Sequence, residues 1–209
     1  MPEKYPDVTD IRPKSLVAWG DWDEGEHCAN NNELATGFQF GWEPPQGDGD
    51  DTGGNGFWLH CNGIDENPSR RVNIIGRIQS KEWALELHTA SCLKGDYLFG
   101  IQVHSEPSQG SASCQQTSPC DADDTSLNNV RLWCKSPYTG EEYQLAEPAA
   151  PMWGGWTSRV NCPKYYGISG VRLQIEEWRE DNDDTSLGRI RTYCKPITTF
   201  NDVKIYNEL

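Results

Sequence analysis

One stretch of the chain occurs three times: DGDDTGGNGFWLHC at 48–61, DADDTSLNNVRLWC at 121–134 and DNDDTSLGRIRTYC at 181–194. Each copy places a cysteine nine residues after its threonine, so that Cys61, Cys134 and Cys194 follow Thr52, Thr125 and Thr185. A second cysteine lies upstream (Cys28, Cys92, Cys162), and before it a tryptophan motif: WGDW at 19–22, SKEW at 80–83 and WGGW at 153–156. A unit this short cannot bury an apolar face alone, so three copies must stack on a shared core. The repeats run over about 16–61, 73–134 and 142–194, making one domain from 16 to 194 between extensions at 1–15 and 195–209.

Between these landmarks GFQFGWE (37–43), YLFGIQVHSE (97–106) and ISGVRLQIEE (168–177) alternate apolar and polar residues and are rich in aromatic and β-branched types. That is the period of a half-buried strand. FWLHC, VRLWC and IRTYC read as the strands that return after each acidic turn, and TFNDVKIY in the tail has the pattern of an added strand. No helical period of useful length occurs, and 20 glycines with 13 prolines punctuate the chain throughout. The expected fold is all-β, with three antiparallel units.

Only 35% of the residues are hydrophobic and mean hydropathy is −0.75, so the core is thin and needs reinforcement. Eight cysteines supply it, each bridge stabilising by about 2–4 kcal/mol. An even count without C-x-x-C pairs points to an oxidising, extracellular compartment. Equivalent cysteines should pair equivalently, giving Cys28–Cys61, Cys92–Cys134 and Cys162–Cys194, although spacing leaves open bridges between neighbouring repeats. Cys114 and Cys120 sit in an insertion found only in the second repeat, GSASCQQTSPCDA, and are expected to close their own loop. A formal net charge of −14 repels phosphate backbones and anionic lipid, which argues against nucleic-acid and membrane-surface roles. The opening residues MPEKYPDVTD lack the apolar core of a signal peptide, so a secreted protein would be represented here in its mature form.

The acidic stretches read as structural turns in preference to metal sites. Asp and Thr side chains satisfy backbone amides in tight turns. The third residue past each threonine is Asn55, Asn128 or Gly188, types that tolerate a left-handed backbone, and Gly188 has no side chain to offer a ligand. Asp48, Asp50, Asp51, Asp121, Asp123, Asp124, Asp181, Asp183 and Asp184 are the oxygen donors that a weak surface calcium site would use, but the glycine and glutamate of an EF-hand loop do not line up. The histidines at 27, 60, 88 and 104 lack metal-ligand spacing, and no cofactor is implied.

The combination WGDW, C-x9-GFxF, EPPQG, GDDT-x2-NG and LHC resembles the vitelline membrane outer layer protein I family, over about residues 16–194 and in each repeat. The resemblance implies a disulfide-braced β-prism of three antiparallel Greek-key sheets with pseudo-threefold symmetry, one sheet per repeat. It also implies a secreted protein of the egg coat or another extracellular matrix, linked to carbohydrate by a lectin-like fold and a glycosyl-transfer activity.

Three functions compete. A structural or glycan-binding component of an extracellular coat would stack sugars on tryptophan faces. The recurring Trp22, Trp83 and Trp156 are expected in the core, which leaves Trp42, Trp58, Trp133 and Trp178 as the binding candidates. A carbohydrate-active enzyme would need two carboxylates about 5–10 Å apart, and Glu43, Glu106 and Glu177, at the predicted strand ends, are the first candidates. A carrier of a small apolar ligand would enclose it among the aromatic side chains. Binding is favoured over catalysis, with glycans or coat glycoproteins as the partners, and the sequence sets no oligomeric state.

Overall fold

The computed structural model describes residues 9–14, 20–45, 53–63, 73–78, 86–107, 125, 127–176 and 186–197. Each repeat contributes a leading strand, a second edge strand or strand pair, which holds the tryptophan motif in the first and third repeats, and a hairpin. In the first repeat these are β1 (Thr9–Ile11), the short pair β2 (Asp21–Trp22) and β3 (Glu26–His27), then β4 (Glu33–Trp42) and β5 (Gly54–Gly63). The second runs β6 (Asn73–Ile78), β7 (Glu86–Ser91), β8 (Tyr97–Ser105) and β9 (Leu127–Lys135). The third runs β10 (Glu142–Gln144), the pair β11 (Gly155–Trp156) and β12 (Val160–Asn161), then β13 (Tyr166–Ile175) and β14 (Leu187–Pro196).

The sheets begin at a different point from the repeats. Each hairpin is flanked by the leading and tryptophan strands of the following repeat, giving sheet I as β6-β5-β4-β7 and sheet II as β10-β9-β8-β11 with β12 also on β8. Sheet III is β1-β14-β13-β2, with β3 also on β13. All pairings are antiparallel, and the order is that of a Greek key. Sheet III therefore joins the two ends of the described chain: strands from residues 9–27 complete a hairpin of residues 166–196. The predicted strands are present with ends shifted by a few residues: β4 begins four residues earlier than expected, whereas β8 ends one and β13 two residues sooner, and the sheets form the expected β-prism. TFNDVKIY lies outside the described residues.

Register makes the threefold equivalences explicit. Phe38, Ile101 and Val171 occupy one interior layer, Phe40, Val103 and Leu173 the next, and all six are essentially inaccessible. Nearer the axis end, Leu34, Tyr97 and Gly167 are equivalent, and a Cβ on Gly167 would lie 2.7 Å from Leu34 Cδ1 and 2.8 Å from Tyr97 Cδ2. Two large side chains thus leave room for only a hydrogen in the third, as close packing requires.

Both bulges of the hairpins also repeat. The second skips Asn55 in β5, Asn128 in β9 and Gly188 in β14, so these residues are bulge positions inside strands. The left-handed backbone expected there falls two residues earlier, at Gly53 (φ 65°) and Ser186 (φ 52°). The extra strand residue, not a reversed φ, is what makes the position special.

The bridges Cys28–Cys61, Cys92–Cys134 and Cys162–Cys194 form as expected, with Cα separations of 5.5–5.7 Å. Because repeats and sheets are out of phase, each bridge crosses between sheets. Cys28 follows β3 of sheet III and joins β5 of sheet I; Cys92 follows β7 of sheet I and joins β9 of sheet II; Cys162 follows β12 of sheet II and joins β14 of sheet III. The three covalent links lace the sheets into a ring. Cys114 and Cys120 lie outside the described residues.

The W-G-x-W motif has a backbone cause. Gly20 and Gly154 have φ of +76° and +91°, and an added Cβ would stand 2.2 Å from the Ile175 carbonyl and 2.3 Å from the Ser105 oxygen. Only glycine admits both the left-handed turn and that approach.

Candidate functional site

The outward faces of the sheets carry the polar aromatic chemistry, and two of the three are closed by the same device. On sheet III Trp22 pairs with Gln174 of β13 and lies under the Arg191 guanidinium, 4.9 Å from the ring centre, with Arg172 at 5.8 Å. On sheet II Trp156 pairs with His104, meets its imidazole edge-on at 4.9 Å and is covered by Arg131 at 3.8 Å. Cation–π contact of this kind holds both partners flat against the sheet. The expectation that these tryptophans are core is corrected: both are half-buried and outward, because their strands lie on the sheet edge with the indole on the face opposite the prism interior.

Sheet II extends this arrangement. Arg131 Nε donates to Glu147 at 2.7 Å. Arg159 lies 4.5 Å from the Trp133 ring and 4.9 Å from Phe99, and both Arg159 and Lys135 reach Glu142 at 3.1 Å. Burial raises the Glu142 pKa, but the hydrogen bonds from Lys135 and Arg159 and their charges outweigh it and hold the carboxylate below its ordinary range. Burial also lowers the His104 and His60 pKa values, favouring neutral imidazoles.

Sheet I differs. Register gives the place of Trp22 and Trp156 to Leu87, opposite Gly41, and the place of Arg131 and Arg191 to Trp58. SKEW is therefore not the counterpart of the other tryptophan motifs, and Trp83 lies outside the described residues. Outward rows here read Leu87–Gly41–Gly56, Thr89–Gln39–Trp58–Gly76 and Ser91–Gly37–His60–Ile74. Leu87 is 54% and Ile74 57% exposed.

The binding candidates are thus separated. Trp58 and Trp133 lie half-buried on the outer faces of sheets I and II. Trp42 turns inward, 7% exposed and stacked on Phe40 at 6.1 Å, because alternation along β4 puts it on the same face as Phe38 and Phe40. Trp178 lies outside the described residues.

The candidate acids occupy one repeated position. Glu43 and Glu176 each donate their backbone N–H at 2.9 Å to the first residue past the threonine, Gly53 and Ser186, and Glu106 is their equivalent by register. The third-repeat counterpart is therefore Glu176, and Glu177 lies outside the described residues. Thr125 Oγ1 donates to Glu106 Oε2 at 2.5 Å. Asn128 Nδ2 donates to Thr125 Oγ1 at 2.8 Å and to the Trp153 carbonyl at 2.9 Å. This network pins Thr125 and Glu106 to the tryptophan motif at Trp153. Among the described residues no group of three His, Cys, Asp or Glu side chains could hold a metal; the nine candidate aspartates, from Asp48 to Asp184, lie outside them.

Gly41, Gly56 and Leu87 carried no signal that sequence reading recognised. Counting back from the cysteines would have found Leu87, which stands five residues before Cys92, against six for Trp22 before Cys28 and for Trp156 before Cys162.

Residues 9–201 match the family model of vitelline membrane outer layer protein I. A human relative, vitelline membrane outer layer protein 1 homolog, is 34% identical over 184 residues, which covers 84% of this chain and 77% of the relative. Among solved structures the chain is similar to Calystegia sepium agglutinin, with a TM-score of 0.55 at 10% identity over 91% of this chain and 98% of that one. It is also similar to Calsepa lectin in complex with biantennary N-glycan, at a TM-score of 0.54, 10% identity and the same coverage. At such identity the likeness is one of fold.

Proposed function

Since the chain belongs to the vitelline membrane outer layer protein I family, we propose that it is a secreted, glycan-binding component of an extracellular coat or matrix. The observation that carries this reading is Trp58, half-buried on the outer face of sheet I in one row with Gln39 and Thr89, an apolar plate beside hydrogen-bonding groups of the kind a sugar ring needs. Three bridges lacing the sheets support an extracellular location, where disulfides persist. Layers of side chains fill the interior, which favours a surface ligand over an enclosed apolar one. The equivalence of Glu43, Glu106 and Glu176 favours an architectural role for the carboxylates over glycosyl transfer.

The test is a glycan-array screen of the oxidised protein, run with calcium and again with chelator. Binding that survives chelator supports the reading and the acidic stretches as turns. Binding only with calcium would return the aspartates to metal ligation. A blank array would overturn glycan recognition.

A further inference from the structure

The middle outward row of each hairpin sets one residue of the central strand opposite one of the return strand: Gln39 and Trp58 in sheet I, Gln102 and Arg131 in sheet II, Arg172 and Arg191 in sheet III. Only sheet III places two guanidiniums there, and like charges directly opposite one another are destabilising. The fold does not require the second one. In sheet II the Gln102 amide donates at 2.6 Å to the carbonyl of Thr157, the residue after Trp156; in sheet III Arg172 Nε donates to the carbonyl of Asp23, the residue after Trp22. Glutamine makes the same bond, so arginine adds a charge and two Nη groups, which among the described residues meet no hydrogen-bond partner. Arg191 is no better compensated. Its Nε is buried without a hydrogen bond and stands 3.5 Å from the Asp10 carboxylate, which Arg12 also holds at 3.2 Å. Its counterpart Arg131, by contrast, donates to Glu147 at 2.7 Å. The Asp23 carboxylate is taken by the Gly25 and Leu173 N–H groups at 2.9 and 3.1 Å, and that of Glu26 by the Gly76 N–H at 2.9 Å.

We infer that the outer face of sheet III, at Arg12, Arg172 and Arg191, is a binding site for an oxyanion of an acidic glycan, a sulfate ester or a sugar carboxylate. The inference rests on the glycan-binding reading and adds to it a second place and a ligand class. A planar guanidinium presents paired N–H groups that match two oxygens of such a group. One oxyanion held by Arg172 and Arg191 replaces their repulsion with two attractions. Both guanidiniums lie beside the same indole, 5.8 and 4.9 Å from the Trp22 ring centre, close enough to share one ligand group. No cavity is needed, because the oxyanion meets guanidinium edges at the surface, where the flanking Arg12 and Asp10 side chains are 57% and 37% exposed. Asp10 marks the place: it is the protein's own carboxylate between two of the three arginines, and it competes with the ligand. The net charge of −14 does not prevent this, since exposed charges farther away than about 8 Å are largely screened at physiological ionic strength.

The oxidised full-length protein is titrated calorimetrically with a chondroitin sulfate tetrasaccharide, a hyaluronan tetrasaccharide, which carries carboxylates and no sulfate, and neutral tetrasaccharides of glucose, mannose, galactose and N-acetylglucosamine. At least one acidic tetrasaccharide binds, and binding of the first without the second assigns the oxyanion as sulfate. Arg172→Gln, which installs the residue that both other sheets carry, weakens it by roughly tenfold or more, the scale of one lost charge-assisted hydrogen bond. Asp10→Asn removes the competitor and tightens it by roughly threefold, the worth of an exposed ion pair. Lys94→Gln, which removes one charge from an exposed turn elsewhere, leaves the affinity unchanged. Asp10→Asn keeps the test valid if Arg172→Gln fails to fold. Binding that Arg172→Gln does not weaken, or weakens no more than Lys94→Gln does, overturns the site, as does binding that Asp10→Asn fails to tighten. Acidic sugars that stay unbound while a neutral one binds overturn it and leave the glycan reading standing. If neither these sugars nor a glycan array finds a ligand for the unaltered protein, the glycan reading fails first and the site with it.

Discussion

Asn128 shows how much one side chain settles. It is fully buried at the bulge of β9 and ties Thr125 to the Trp153 carbonyl, satisfying polar groups at a point where the strand ladder is interrupted. Single residues also set the pH response. Burial holds the folded-state pKa of His104 below the 6.5 of an exposed imidazole, so the unfolded chain binds the proton first as pH falls. The stability from neutral His104 is complete well above 6.5 and is lost as pH drops below it. The urea midpoint should therefore fall between pH 7.5 and 5.5, and fall less in His104→Gln, which copies the equivalent Gln174. Loss attributable to Glu142 comes in a separate window, below its ordinary value of 4.5. Backbone geometry gives a second prediction at this scale. Gly154→Ala combines a left-handed φ with an overlap on the Ser105 oxygen, and should cost at least about 2 kcal/mol in denaturant unfolding. Alanine at Gly155, where an added Cβ meets nothing within 4 Å, should cost far less.

Among the elements, the hairpins were legible and their neighbours were not. Alternation in GFQFGWE or YLFGIQVHSE fixes which face is buried, because that signal is local; equivalent cysteine positions pointed to the bridges that form, while spacing alone left pairing between neighbouring repeats open. The edge strands carry neither. A cyclic repeat has no intrinsic starting point, so spacing alone could not show that β6 and β7 complete the hairpin of the repeat before them. The tryptophan strands added a second ambiguity: β2 and β3 are separated by a break at Asp23–Gly25, as β11 and β12 are by residues 157–159, whereas β7 is continuous. The break adds a residue between tryptophan and cysteine, which is why the equivalent place in β7 falls five residues before Cys92, at Leu87, and not six; Trp83, nine residues before, is too far upstream to take it. Similarly, register and not motif selects Glu176 over Glu177. The difference between sheet I and the other two emerges only once these correspondences are set by pairing, since no motif marks Leu87, Gly41 or Trp58 as the counterparts of Trp156, His104 and Arg131.

For the whole molecule, the ring of bridges is the organising constraint. Each links residues 32–42 apart in sequence and joins two sheets, so opening one frees a loop whose closure entropy corresponds to about 4 kcal/mol. Replacing Cys92 and Cys134 together by serine should lower stability by roughly 2–4 kcal/mol in chemical denaturation, and complete reduction by more than any single pair. Sheet III should be the most sensitive to shortening, because its outer strands come from the opposite end of the described chain from its hairpin. The direct test of the glycan-binding reading is an NMR titration of protein labelled at its tryptophan indole nitrogens with the neutral tetrasaccharides. The Trp58 resonance should shift in a saturable way while Trp22 and Trp156, covered by arginine, stay in place. A saturable shift confined to Trp133, Trp22 or Trp156, or none at any indole while the sugar binds, would contradict the account.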